Sequence, residues 1–233
     1  MRYHIDTIPV WDAYHDASEC PLCLLQAKAE AGYVDLYLGG SVMEPKTRVE
    51  VNSKGFCPRH FGMLYQAQNR LGLALVTHTY FKETQEAWSR QAAKKKGTKE
   101  DLLRLSGWLR DKTASCVICE KTDNAMDRYA YTILHLWQHD GEFREAFSAS
   151  KGFCLPHLGL LLHMAANTLK KDKASAFLSD ILPIQEREMG RVAEELWWFT
   201  QKFDHKNRDK SWGNSKDALP RAIQKLSGDG SKG

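Results

Sequence analysis

The chain has 233 residues and a formal net charge of +4, and 42% of its residues are hydrophobic, a share typical of folded proteins rather than disordered ones. The chain contains no uncharged apolar stretch of 18 residues, and its first residues lack the apolar core of a secretion signal. Membrane insertion and export are therefore not expected. We therefore predict a cytoplasmic protein.

The net charge lies at the end of the chain. Residues 201–233 hold eight Lys or Arg against four Asp or Glu, which accounts for the whole +4. Acidic residues interrupt the basic ones and Trp212 stands alone, so nucleic-acid binding is not expected. We predict a solvated basic tail over 204–233. A second possibility is a docked helix from Lys216 to Leu226, capped by Ser215.

The remaining elements are predicted in chain order from apolar periodicity and from helix start and stop residues. Helices are expected from Pro21 to about Leu38, from Pro58 to the lysines at 94–96, from Lys99 to about Lys112 with Thr98 as cap, from Cys116 through Trp137, through Phe143 and Phe147, from Pro156 through Ala165, and from about Ala174 to Phe203. Pro183 should kink or end the last of these. Arg48 to Val51 is a weak strand candidate, and the fold class is all-α.

All six cysteines belong to one pattern that occurs twice. A CxxC is followed by a CxxH after 33 residues in the first copy and 34 in the second. The eight candidate metal ligands are Cys20, Cys23, Cys57 and His60, then Cys116, Cys119, Cys154 and His157. Three thiols and one imidazole are a ligand set of tetrahedral Zn²⁺, so we predict two zinc ions per chain.

The sequence around the ligands is duplicated as well. Residues 53–57 and 150–154 both read Ser-Lys-Gly-Phe-Cys. This repetition predicts a first helical repeat over 1–97, a linker helix with a second repeat over 98–203, and the tail over 204–233. Each half-site then falls at a helix start, where exposed N–H groups stabilise a thiolate. Pairing within each repeat is the simplest arrangement, but Cys20 and Cys23 could close with Cys154 and His157 instead.

Other chemistries fit the six cysteines less well. A three-disulfide framework belongs to secreted chains and has no need of the histidines, and a redox dithiol expects a βαβ context that is missing here. An iron–sulfur cluster is an alternative cofactor. Outside the pattern, His135 and His139 could share a face of a helix, but without the E-x-x-H signature of di-iron bundles they indicate a partly exposed surface.

No nucleophile elbow, phosphate loop or zincin motif is found, and a closed Cys3His site has no position for substrate. The sequence favours a non-catalytic binding or adaptor protein with a protein partner. The alternative is a redox or metal-dependent enzyme with iron–sulfur or labile zinc–thiolate centres.

The chain resembles an uncharacterised family of bacterial proteins, common in Firmicutes, that is known only as a domain of unknown function. The resemblance rests on the CPLC at 20–23, the two GFC-x-x-H motifs, and a C-terminal stretch with Trp-Gly at 212–213, Lys-Asp at 216–217 and Arg-Ala-Ile at 221–223. It implies a bacterial origin and a shared framework at the eight ligand positions. It implies no activity.

Overall fold

The structure, a computed structural model, describes residues 6–228, and within that range it contains helices and no strand, so the all-α prediction is confirmed. The α-helices are α1 Thr7–His15, α2 Pro21–Leu38, α3 Pro45–Lys54, α4 Pro58–Gln66, α5 Arg70–Ala93, α6 Lys99–Ala114, α7 Val117–His139, α8 Gly141–Ala149, α9 Leu155–Thr168, α10 Lys171–Gln201 and α11 Ala218–Ser227. Short 3-10 turns lie at Gly40–Met43 and His205–Asn207.

The single helix predicted from Pro58 to the lysine run is wrong. The chain breaks between α4 and α5, where Gln68 takes a left-handed backbone conformation with φ of 63°. Asn69 then caps α5, and its side-chain oxygen accepts a hydrogen bond from the N–H of Gly72 at 2.9 Å. The apolar periodicity continues across the break, which is why the sequence pattern did not reveal it.

Other local expectations are met or corrected. Thr98 caps α6 in a reciprocal capping box with Asp101, as predicted. Helix α10 continues through Pro183, which therefore does not end it. Residues 48–51, the weak strand candidate, lie inside α3. Helices α1 and α3 were not predicted.

The chain divides into two compact units whose order along the sequence is nested. Met1–Ala27 and Ala125–Gly233 form one unit, here called the outer unit, and Lys28–Asn124 form the other, the inner unit. These units differ from the sequence repeats, so the repeat boundaries at 97 and 203 remain a prediction. Five residues at each end of the chain, including the end of the predicted tail, lie outside the described part.

Each unit has its own buried core. In the outer unit, α8, α9 and α10 pack together around a cluster of phenylalanines, and α1 packs on α8. The fully buried rings there are Phe143, Phe147, Phe153 and Phe177. In the inner unit, α5 packs on α3 and α4 over a smaller core that contains Tyr37, Leu64 and Ile118.

Within the segment predicted as a solvated tail, residues 218–227 are docked in the outer unit. Helix α11 packs on α9 and α10, and it buries Ala218, Ala222 and Lys225. The docked-helix alternative is therefore the one the structure shows, with the helix beginning at Ala218 rather than Lys216. The predicted cap is wrong, because Asp217 and not Ser215 is the N-cap residue. Ser215 is buried just ahead of the helix, and its hydroxyl donates to the carbonyl of Trp212 at 2.6 Å.

Candidate metal centres

The structure gathers the eight predicted ligands into two clusters of three thiols and one imidazole, within each of which the ligand atoms all lie within 4.8 Å of one another. The outer cluster is Cys20, Cys23, Cys154 and His157, and the inner cluster is Cys57, His60, Cys116 and Cys119. Each CxxC therefore meets the CxxH of the other repeat. Pairing within each repeat, the simplest expectation, is wrong, and the swapped arrangement is correct.

Every half-site lies at a helix start. Cys57 and Cys154 are the N-caps of α4 and α9, while Cys20 and Cys116 immediately precede α2 and α7. Each N-cap cysteine is followed by a proline in the first helical turn, where the missing N–H has no helical partner to lose. Two helix starts thus bring their thiols together in each cluster.

The spacing of the outer cluster matches a tetrahedron around one metal ion. Sγ of Cys154 lies 3.8 Å from Sγ of Cys20 and 3.7 Å from Sγ of Cys23. Nδ1 of His157 lies 3.1–3.5 Å from the three sulfurs. Zinc bond lengths to sulfur and nitrogen give tetrahedral edges of about 3.8 Å between sulfurs and about 3.6 Å between sulfur and nitrogen. The ligand atoms are therefore already placed for coordination.

The inner cluster has the same dimensions. Sγ of Cys57 and Sγ of Cys119 are 3.8 Å apart, and Nδ1 of His60 lies 3.2–3.4 Å from the three sulfurs. These sulfur–sulfur distances are far beyond the roughly 2.0 Å of a disulfide, and all six cysteines are free thiols. A disulfide framework does not describe this chain.

A buried glutamine orients the histidine of the outer cluster. Nε2 of His157 lies 2.9 Å from Oε1 of Gln26, which can only accept, so Nε2 carries the proton. Nδ1 is then the unprotonated nitrogen that faces the thiols. Hydrogen bonds of this kind are typical of metal-bound histidines, because they fix the tautomer and the ring orientation.

A carboxylate takes the corresponding place in the inner cluster. Oε1 of Glu30 lies 3.7 Å from Nε2 of His60, which is too long for a hydrogen bond, so Glu30 acts on the imidazole through its charge. Both guanidinium nitrogens of Arg59 bind the Glu30 carboxylate, one of them at 2.7 Å. The ion pair therefore fixes the carboxylate beside the buried ring.

Burial and mutual hydrogen bonding separate the pKa values of the outer thiols. Burial, followed by the bonds to its two partners, raises the pKa of Cys20 well above its usual range. Hydrogen bonds with Cys154 and Cys20 lower the pKa of Cys23 far below that range. The bond with Cys20 lowers the pKa of Cys154, but the bond with Cys23 and burial outweigh it and raise the value to about 11. Of the three outer thiols, Cys23 is therefore the one whose surroundings favour the thiolate.

In the inner cluster, Cys116 and His60 shift the pKa values of each other. Burial raises the pKa of Cys116, but hydrogen bonds from His60 and from backbone N–H groups outweigh it and lower the value to about 6. Burial lowers the pKa of His60, but the bond to Cys116 and the nearby Glu30 raise it to about 10. Burial also raises the pKa of Cys119. Metal binding requires thiolates and an unprotonated Nδ1, so it releases protons here.

The two clusters differ in exposure. Cys20, Cys23 and Cys154 are at most 1% exposed. In the inner cluster His60 and Cys116 are buried, but Cys57 and Cys119 are half-buried. Reagents and chelators therefore reach the inner cluster more readily.

Gln26 and Glu30 were not predicted from the sequence. They follow Cys23 by three and seven residues on α2, which is the spacing of one helix face, and this spacing is the signal that could have revealed them. His135 and His139 belong to neither cluster. Their rings stack on each other on α7 with centroids 4.5 Å apart, as expected for a helix surface.

The fold and the clusters define an all-helical protein with two groups of three cysteines and one histidine that could each hold a metal ion. The chain belongs to DUF6062, a family of unknown function, whose model matches residues 1–232. The resemblance stated from the motifs is thereby confirmed. No curated protein and no solved structure matches the chain. None of the helices in residues 6–228 has the length and apolar character needed to span a membrane.

Proposed function

We propose that the protein is a non-catalytic adaptor whose helices are held by two structural Zn²⁺ ions, one bound to each Cys3His cluster. The observation that carries this is the tetrahedral spacing of ligand atoms in both clusters. Zinc accepts this mixture of thiolates and imidazole, and the orientation of His157 by Gln26 fits a metal-bound ring.

A structural role follows from the number of ligands. Four protein ligands fill a tetrahedral shell, whereas catalytic zinc keeps one position for water or substrate. Each ion would join two helix starts that are far apart in sequence, as Cys23 and Cys154 are by 131 residues. The metal thus acts as a crosslink in a compartment where disulfides are reduced, which agrees with a cytoplasmic location and six free thiols.

Elemental analysis of the purified protein, combined with an absorption spectrum and circular dichroism, tests the proposal. We expect two zinc ions per chain, no visible colour, and loss of helicity when a chelator removes the metal, because the free energy of structural zinc binding is largely folding free energy. Protein that keeps its helicity without any metal would refute it.

The half-buried thiols of Cys57 and Cys119 favour a second candidate, a redox or metal-dependent enzyme that uses the inner cluster. Labile zinc–thiolate chemistry would suit this exposure. An iron–sulfur cluster suits it less, because such a cluster distributes its ligands over several irons, while these ligand atoms all lie within 4.8 Å of one another. Visible absorption together with iron in the elemental analysis would support this candidate over the adaptor.

An exposed apolar surface in the inner unit supports a binding role. No residue of α6 is buried, and its Leu102 and Leu109 are 70% and 46% exposed. Trp108 of α6 and Trp88 of α5 have ring centroids 6.0 Å apart at the edge of a groove of about 460 Å³. This aromatic groove is lined by Phe56, Pro58, Phe61, Tyr80, Thr84, Trp88, Trp108, Leu109, Lys112 and Thr113. Exposed apolar surfaces with tryptophan anchors are typical of protein interfaces.

The charge of the groove indicates the chemistry of the partner. Lys112 is the only charged residue in the lining. Its ammonium lies 4.5 Å from the centroid of the Tyr80 ring and donates to two backbone carbonyls, and among residues 6–228 no carboxylate lies within 4.0 Å of it. We infer that the partner is a protein segment with a large apolar side chain next to an acidic one. The apolar side chain would enter between the tryptophans, and the carboxylate would meet Lys112.

Selection from a random peptide display library on the immobilised, metal-loaded protein tests this partner. We expect enrichment of sequences that pair an apolar residue with Asp or Glu. The W108A variant should lose the enrichment, and K112Q should keep the apolar preference but lose the acidic one. No enrichment, or enrichment that survives W108A, would refute the assignment of the groove.

A further inference from the structure

A buried lysine of the C-terminal helix lies at the outer cluster. Lys225 is 3% exposed, although lysine is almost never fully buried unless its charge is paired. Its ammonium donates to the backbone carbonyl of Glu19 at 2.7 Å and to the backbone carbonyl of Lys151. The Glu19 carboxylate lies 3.4 Å from this ammonium, but it also pairs with Arg191 at 2.6 Å and with Arg221 at 3.6 Å.

The two carbonyls belong to the two halves of one metal site. Glu19 immediately precedes Cys20, and Lys151 lies in the repeated segment that ends at Cys154. One ammonium therefore joins the backbone ahead of the CxxC to the backbone ahead of the CxxH. The end of α11 also passes close to the cluster, since a Cβ on Gly228 would stand 3.8 Å from Sγ of Cys154.

The inner cluster offers a contrast within the same chain. There Lys112 donates to the carbonyls of Asn52 and Ser53 at 3.1 and 3.2 Å, both in the segment ahead of Cys57. It thus supports one half-site only. In this comparison of the two lysines, only Lys225 at the outer cluster joins the backbone of both half-sites.

The charge of the site gives the bridge a further role. Three thiolates and one neutral imidazole around Zn²⁺ carry a net charge of −1, and all four outer ligands are buried. A buried negative charge is costly without a nearby positive one. Because Arg191 and Arg221 already pair with the Glu19 carboxylate, the charge of Lys225 is left to offset that of the site, and its ammonium also holds the half-sites together.

We propose that α11 is a clamp on the outer metal site, with Lys225 as the positioning residue that sets how slowly this site exchanges its metal. This inference rests on the metal sites of the proposed function. The C-terminal segment, predicted from the sequence to be a solvated tail, would then control how long the outer cluster retains its metal.

The test compares the full-length, zinc-loaded protein with its K225M variant in a chelator and N-ethylmaleimide. Peptide mass spectrometry then gives separate alkylation rates for the outer and the inner cysteines. We expect K225M to raise the alkylation rates of the outer cysteines about tenfold, the scale of a lost charged hydrogen bond. The alkylation rates of the inner cysteines should stay within about twofold of the wild type. K225R, which keeps the charge, should change the outer rates less than threefold. K206M removes the same charge from an exposed residue of the same segment and should change neither.

Each other outcome has a definite meaning. Unchanged outer rates in K225M, or equal increases in both clusters, would overturn the clamp, as would a K225M protein that cannot fold in the presence of zinc. A cobalt-substituted K225M protein should keep the absorption bands of tetrahedral coordination, because ligands and geometry are retained. If all cysteines of the wild type are alkylated as fast as those of an unfolded peptide, the metal sites themselves are refuted. If the wild-type cysteines are protected from alkylation and K225M does not change their rates, only the clamp is refuted.

Discussion

A side chain that contacts a ligand histidine can fix the orientation of its ring before the metal binds. Gln26 lies behind His157 and leaves Nδ1 free for the ion. We expect Gln26→Ala to weaken zinc binding at the outer cluster by about 10–100-fold, because loss of such a partner releases the ring and its tautomer. Competition with a chromophoric chelator measures this affinity.

The exposed Gln85 provides the control for this prediction. Gln85→Ala makes the same chemical change on the surface of α5 and should leave the affinity of both clusters unchanged. Equal zinc affinity of the Gln26→Ala variant and the wild type would contradict the role of the amide.

Two glycines explain why the Ser-Lys-Gly-Phe-Cys segment is repeated. Gly55 and Gly152 have φ of 68° and 73°, a left-handed conformation that other residues adopt only with strain. A methyl group on Gly55 would also overlap the ring of Tyr80. We expect Gly55→Ala to lower the free energy of unfolding by about 2 kcal/mol or more, measured by urea denaturation of the metal-loaded protein.

Gly62 provides the matched control for Gly55. It lies inside α4, where an added methyl group would meet open space. Gly62→Ala should be neutral or stabilising by about 0.5–1 kcal/mol, as is usual in helix interiors. A Gly55→Ala variant as stable as Gly62→Ala would show that the turn tolerates a side chain.

At the scale of the elements, the break between α4 and α5 depends on Asn69. Its amide group donates to the carbonyl of Leu38 at 2.6 Å while its oxygen caps the N–H of Gly72. We expect Asn69→Ala to cost about 1–2 kcal/mol in thermal or urea unfolding, because it removes the cap and a contact to the end of α2. Thr98→Ala removes only an exposed cap and should cost less. The reverse order would contradict this account.

The elements with strong local determinants were predicted correctly from the sequence. Thr98 and Pro21 mark helix starts through capping and backbone geometry that act within one turn. The break at Gln68 was missed, since glutamine rarely adopts a left-handed conformation and gives no sign of it. Helix α1 carries no capping bond from Asp6 and was missed as well.

The candidate ligands could be predicted from the sequence, but their pairing could not. The gaps of 33 and 34 residues fit both arrangements, because a gap says nothing about which helix starts meet in space. That choice depends on how the helices between the half-sites pack, which is a property of the whole chain. The position of Lys225 depends on the same packing.

For the whole molecule, the difference in exposure between the clusters predicts an order of metal loss. Cys57 and Cys119 are half-buried, whereas the outer thiols are not accessible. With limiting chelator and an alkylating reagent, we expect the inner cysteines to be modified first and one zinc ion to remain bound. Peptide mass spectrometry after short reaction times measures the order. Modification of the outer cysteines first, or of all six together, would contradict it.

The nested order of the half-sites also affects how the protein is made. His60 and Cys116 are 56 residues apart, whereas Cys23 and Cys154 are 131 apart. The longer loop costs only about 0.7 kcal/mol more chain entropy, so equilibrium hardly distinguishes the two closures. Synthesis does distinguish them. A nascent chain has all four inner ligands once Cys119 has left the ribosome, but Cys20 and Cys23 must wait for His157, and for α11 after it. The first thiols to be translated are therefore the last to find their partners.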